Sequence, residues 1–164
     1  MGRVVACHPV LDTGYGAAAG RRSVPSGGAL YPLELYVLAL AVTDTESSVY
    51  HYDPFGHRLE SIGPLDADVA GAALVDPGLA ERAAAVLVLT GMFWRSRFKY
   101  GLRGYRFALL EAGHVAQNVV LAAAVLGLAV LPLGGFYDRR LDALVGADGL
   151  AEASLYALVL GAFA

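Results

Sequence analysis

Apolar residues fall in blocks separated by short polar stretches bearing Gly and Pro, and each block's length and period predicts an element. Glu34 to Val42 (ELYVLALAV) is almost continuously apolar, the pattern of a strand covered on both faces. Val49 to Tyr52 and Arg58 to Ile62 flank Asp53-Pro54-Phe55-Gly56, whose Pro and Gly are turn residues, so the pair predicts a hairpin. Asp66 to Ala73 and Pro77 to Ala85 read as short helices, the second with Pro near its first turn. Ala85 to Thr90 predicts a second buried strand, and Tyr105 to Leu126 a long helix too apolar all round to lie on a surface. Leu128 to Leu131 is a short buried strand, Tyr137 to Val145 a helix and Leu155 to Leu160 a final strand. There is no internal repeat and no linker, so the whole chain, 1–164, reads as one α+β domain (1–20 loosely assigned).

Val119 to Tyr137 is 19 residues without a charge, long enough to raise the question of a membrane span. Gly127 sits where a helix would stop, and Pro132, Gly134 and Gly135 break the last third. Upstream, Glu111, His114, Gln117 and Asn118 put polar groups on the same helix, so helix–turn–strand is expected and no membrane partner.

Composition narrows the function classes. Of 164 residues 57% are hydrophobic, above the usual ~45–50%, which excludes a disordered chain. A net charge of -3 argues against a general nucleic-acid binder, which needs a basic face. The single cysteine, Cys7, excludes a disulfide framework, and no charged segment followed by an apolar one opens the chain, so a cytoplasmic location is expected.

Three loops and one helix face can carry chemistry. Arg21 to Pro32 reads RRSVPSGGALYP: its glycines let backbone N–H groups approach a flat or anionic ligand, and Ser26 adds a hydroxyl. Leu131 to Asp138 reads LPLGGFYD, a second Gly pair directly after a predicted strand, where two N–H donors can reach a ring heteroatom. A tight turn binding nothing is the alternative for each. Arg95 to Arg106 (RSRFKYGLRGYR) holds four arginines, two tyrosines and Lys99, the only lysine against 11 arginines. A lysine can lose its proton near neutral pH when cationic neighbours or burial lower its pKa, and the same neighbours favour phenolate at Tyr100. Lys99-Tyr100 is thus a candidate proton-transfer pair, with a solvated basic loop as the alternative. Glu111, His114 and Asn118 share one helix face; with no second Glu-x-x-His, an internal hydrogen-bond set is favoured over a metal site. Cys7-His8 has no third partner, and His51 and His57 flank the hairpin turn in expected exposure, so no metal ligand is assigned.

PSGGALYPLELYV, the KY of FKYGLRGYRF, LLEAGHVAQN and LPLGGFYD, in this order, resemble the SagB-type azoline oxidases, a branch of the FMN-dependent nitroreductase superfamily. The resemblance runs from Arg21 to Gly161. It implies a nitroreductase-like α+β sandwich, a mixed central sheet flanked by helices, in a homodimer with FMN at the subunit interface. It implies that Pro25, Ser26 and Gly27 meet the flavin from the partner subunit. Leu133, Gly134 and Gly135 would lie along the flavin N5 and O4 region, the two glycines offering backbone N–H groups. Lys99 and Tyr100 match the lysine–tyrosine pair thought to act as catalytic base. The implied substrate is a ribosomally made peptide whose thiazoline or oxazoline rings were closed by a separate cyclodehydratase, with which the protein could form a complex. Ring proton to the pair and hydride to the flavin give the azole, and dioxygen reoxidises the cofactor.

The chain departs from the family in one respect. Relatives carry near their start an Arg-x-Ser-x-Arg segment that grips the FMN phosphate, whereas this chain reaches the PSGG loop by residue 25. An upstream portion is missing, or Arg21, Arg22 and the 95–106 cluster substitute, or cofactor binding is weak or lost. Two other functions stay open: an NAD(P)H-dependent nitro- or quinone reductase, and a cofactor-poor, non-catalytic partner in a peptide-modifying complex.

Overall fold

The computed structural model describes residues 22–162. Arg21, Cys7 and His8 lie outside the described residues. The elements follow the apolar blocks in order: β1 (Leu33–Ala39), β2 (Ser48–Asp53), β3 (Arg58–Pro64), α1 (Ala67–Ala73), α2 (Gly78–Arg82), β4 (Ala85–Met92), α3 (Trp94–Tyr100), α4 (Arg103–Leu126), β5 (Leu128–Leu133), α5 (Asp138–Val145) and β6 (Glu152–Ala162). Asp66 starts α1 by accepting the Asp68 backbone N–H on its side chain.

The strands form one sheet in the order β3-β2-β1-β4-β6-β5. The mixed sheet expected from the resemblance is corrected here, since every neighbouring pair is antiparallel. The reason is that β6 returns between β4 and β5. Those two strands run the same way, but each meets only the oppositely directed β6.

Alternating side chains of the central strands feed two cores. Leu38, Val86, Val88, Ala157 and Val159 face Ala70, Ala73, Leu141 and Val145 of α1 and α5. Val37, Leu87, Leu89, Leu158 and Leu160 face Ala108, Ala112, Ala116 and Ala123 of α4. Small alanines let the long helix approach the sheet closely, and β4 is buried on both sides as its apolar run requires. The uncharged stretch 119–137 divides as expected, with α4 ending at Leu126 and residues 128–133 pairing with β6. By length and composition alone, α4 could cross a membrane.

Two expectations need correction. The long helix is not enclosed: Leu109, Leu110, Leu121 and Val125 are exposed, because only the face bearing its alanines, with Val115, Val119 and Val120 beside them, meets the sheet within the described chain. Residues 95–106 are not a loop either. They form α3, a turn and the first turn of α4. Gly101 makes the break at φ 56° and ψ -141°, a region closed to residues with a Cβ, so one basic run becomes two helices.

Candidate active site

The start of β1, the end of β4 and the end of β5 lie at one end of the sheet, since Leu33 pairs with Gly91 and Leu133 with Ala157. All three loops singled out from the sequence therefore emerge on that edge.

The 25–32 loop contains a short 3-10 turn, Gly27–Ala29, followed by Tyr31 at φ 45°. Its shape is held by side chains. The Ser26 Oγ accepts the Tyr31 backbone N–H at 2.9 Å, and the Tyr31 hydroxyl accepts the Arg22 N–H at 3.1 Å. The Arg22 guanidinium stacks 4.9 Å from the Tyr31 ring centroid. Ser26 also hydrogen-bonds the carboxyl of Glu111 on α4. The hydroxyl that the sequence offers to a ligand is thus engaged inside the protein, while Pro25, Gly27 and Gly28 stand exposed.

Glu111 is the most deeply placed acid here, only 4% exposed, and its Oε2 has no hydrogen-bond partner among the described residues. Burial pushes its carboxyl pKa up, with Ser26, Arg22 and His114 pulling the other way. The helix-face trio read from the sequence is only partly joined. Glu111 turns to Ser26, Asn118 is half-buried along the cavity between α4 and the sheet, and His114 is exposed.

Lys99 and Tyr100 close α3 and meet the glycine loop. A Cβ on Gly28 would collide with the Tyr100 hydroxyl and stand 3.2 Å from Lys99 Nζ. The ammonium lies 5.3 Å from the Tyr100 ring centroid, and that ring packs edge-on against Phe107 of α4 at 5.0 Å. Two of the three candidate loops are therefore in contact within a single chain.

The third lies apart. Gly134 is exposed with nothing within 4 Å of a built Cβ; Gly135 packs beside Leu133 and Val75 and accepts the Val75 N–H on its carbonyl. This loop leaves β5, three strand positions from β1, about 14 Å at the usual interstrand spacing.

The sequence reading missed a polar group beneath α3. Arg95 donates to the Glu34 carboxylate and, at 3.3 Å, to the Tyr31 carbonyl. The other Glu34 oxygen meets His51 Nε2 at 2.9 Å, so His51 is a paired, half-buried residue and not the exposed one expected. His57 is exposed and contacts the Tyr52 hydroxyl through Nδ1 at 2.9 Å. The available signal was one charge, Glu34, opening a strand that is otherwise apolar.

Known proteins share this fold. The nitroreductase family model matches residues 9–162. MJ1384 of Methanocaldococcus jannaschii, whose name assigns it to the nitroreductases, is 41% identical over 138 residues, covering 80% of this chain and 68% of that protein. The microcin B17-processing protein McbC of Escherichia coli is 35% identical over 149 residues, 86% of this chain and 54% of McbC. A chain of the E. coli microcin synthetase McbBCD complex with truncated pro-MccB17 bound superposes with a TM-score of 0.80 at 31% identity. That match covers 92% of this chain and 59% of the other, so this chain spans little more than half the length of McbC. With the family's pattern running through nearly every element from the glycine loop to β6, the chain belongs to the nitroreductase family of oxidoreductases.

Proposed function

We propose that the protein is an FMN-dependent dehydrogenase that oxidises thiazoline or oxazoline rings of a ribosomally made peptide to azoles. In this reading it is a cytoplasmic homodimer working beside a cyclodehydratase in a peptide-modifying complex. One observation carries the reading. A lysine and a tyrosine at the end of α3 abut the exposed Gly27-Gly28 loop, in a chain similar over 86% of its length to a peptide-processing protein.

Members of the family typically bind FMN, and the residues fit a flat ring. Gly134 has open space where a side chain would stand, and Pro25, Gly27 and Gly28 present backbone at the surface. Their separation across three strands suits a slot built from the glycine loop of one protomer and the 133–135 loop of its partner. The exposed Leu109, Leu110, Leu121 and Val125 on α4 supply apolar surface of the kind an obligate interface covers.

When bound, FMN would supply the acceptor for a hydride, two electrons with one hydrogen. Lys99 Nζ as the free amine, or Tyr100 Oη as phenolate, takes the proton from the neighbouring ring carbon, so a C=C bond forms as two C–H bonds break. Packing of the two side chains at Gly28, and of the Tyr100 ring on Phe107, holds that acceptor at a set distance from the ring edge. Arg22 is a described basic residue beside the loop, although its guanidinium is already stacked on Tyr31.

The test is azole formation by the purified protein on a peptide bearing a preformed azoline. Lys99→Ala and Tyr100→Phe should each cut turnover about 10²–10⁴-fold with flavin still bound. Near-normal turnover in both variants would remove the pair from the mechanism. The identity to MJ1384 favours a second reading, an NAD(P)H-dependent nitro- or quinone reductase. Rapid bleaching of the flavin by NAD(P)H without peptide would select it. A colourless protein that takes up no added FMN would defeat both and leave the non-catalytic partner.

A further inference from the structure

We propose that Arg95 is a positioning residue that sets the spacing between the glycine loop and the Lys99-Tyr100 pair, with Glu34 as its anchor. The proposal rests on the functional reading above for its catalytic consequence, but not for its structural one.

Three pieces of chain must keep register at this edge of the sheet. The 25–32 loop is conformationally costly, with Gly28, Ala29 and Tyr31 all at positive φ. Helix α3 has seven residues and no side-chain cap at its start, too short to be stable on its own propensity. Strand β1 is the rigid member, paired on both sides. The Arg95 guanidinium touches all three. It grows from α3, donates to the Tyr31 carbonyl of the loop at 3.3 Å and pairs with Glu34 of β1. Lys99 is one helical turn beyond Arg95, so rotation or sliding of α3 about this tie moves its ammonium relative to Gly28.

Glu34 is itself fixed. His51 of β2 holds its second oxygen at 2.9 Å, and the His51 ring packs 5.1 Å from that of Tyr36. The Tyr36 hydroxyl donates to Glu152 of β6 at 3.1 Å, and Thr90 of β4 donates to the same oxygen. Burial and the Glu152 charge push the Tyr36 phenol pKa up, so it stays a donor. The tie from α3 therefore ends on four adjacent strands, a frame far stiffer than either loop. Both bonds leave one guanidinium nitrogen, Nη1, at the tip of the side chain; lysine, one atom shorter, keeps the charge but brings its ammonium less fully to that place.

The experiment uses the full chain with FMN and reads Arg95→Gln, Glu34→Gln and Arg95→Lys in two ways. Amide exchange should speed about tenfold in residues 27–31 and 97–101 together for both Gln variants, with β4 unchanged and Arg95→Lys intermediate. Where the wild type oxidises an azoline peptide, kcat should fall about 10–100-fold with KM and flavin content near wild type, again with partial rescue by lysine. Exchange at wild-type rates in either segment overturns the proposal, as does a rise in KM with kcat unchanged. A wild type that oxidises no azoline defeats the functional reading only, and exchange then decides the role of Arg95 alone.

Discussion

Gly28 and Tyr100 touch across the proposed site: a side chain at residue 28 would occupy the place of the Tyr100 hydroxyl. The loop and the end of α3 are complementary surfaces, and residue 28 must be glycine both for space and for its φ of 68°.

Gly28→Ala therefore tests the contact itself. The left-handed backbone costs about 1–2 kcal/mol for alanine, and the methyl group must displace the phenol and crowd Lys99 Nζ at 3.2 Å. Turnover should fall steeply while the melting temperature drops only a few degrees. An active Gly28→Ala enzyme would mean that the phenol's present position is not the working one.

Gly104→Ala probes the seat of α3. Its Cβ would lie 2.8 Å from the Ser96 carbonyl carbon and 2.9 Å from the Arg97 nitrogen, backbone atoms that cannot yield cheaply. Destabilisation of about 1–3 kcal/mol is expected, read as a lower denaturation midpoint. A midpoint equal to wild type would show that α3 and α4 can separate freely.

Arginine on the outer face of α4 tests the proposed homodimer. Val125, 88% exposed in the single chain, and Leu121 carry no load in the sheet-facing core, so Leu121→Arg and Val125→Arg leave the fold intact. Sedimentation should report monomers with reduced flavin content. Dimers that persist in the double variant would move the interface elsewhere.

Glu111 makes stability depend on pH in a stated direction. Its carboxyl pKa is raised by burial in the folded chain, so the native state binds the proton more tightly than the unfolded chain does. The stabilisation is complete below the ordinary value of 4.5 and is lost as pH rises through the raised folded value. Glu111→Gln keeps an acceptor for Ser26 and cannot ionise. Thermal melts across pH 4 to 8 should show the variant gaining on wild type as pH rises. A difference independent of pH would mean the native carboxyl is not perturbed.

Much of this was legible in one dimension because burial leaves a periodic imprint. ELYVLALAV and AVLVLT read as two-sided strands and are β1 and β4 at the centre of the sheet. The Asp53–Gly56 turn marked its hairpin, and Gly127 the division of the uncharged run 119–137. The glycine pairs and the solitary lysine drew attention because glycine removes a side chain and lysine differs from arginine in its proton, both local chemical facts.

What composition could not show was decided by the third dimension. Apolar residues all round α4 say that it is covered, not by what, and the described chain leaves Leu109, Leu110, Leu121 and Val125 exposed. Whether the sheet was mixed depended on where the last strand returned, a choice made by packing between distant segments. The same is true of Arg95: its charge was visible in the sequence, but only folding brought it to Glu34 and Tyr31, 61 and 64 residues away. Local propensity sets each element, while pairings between remote side chains arise only once the cores have closed and taken the intervening polar groups out of water.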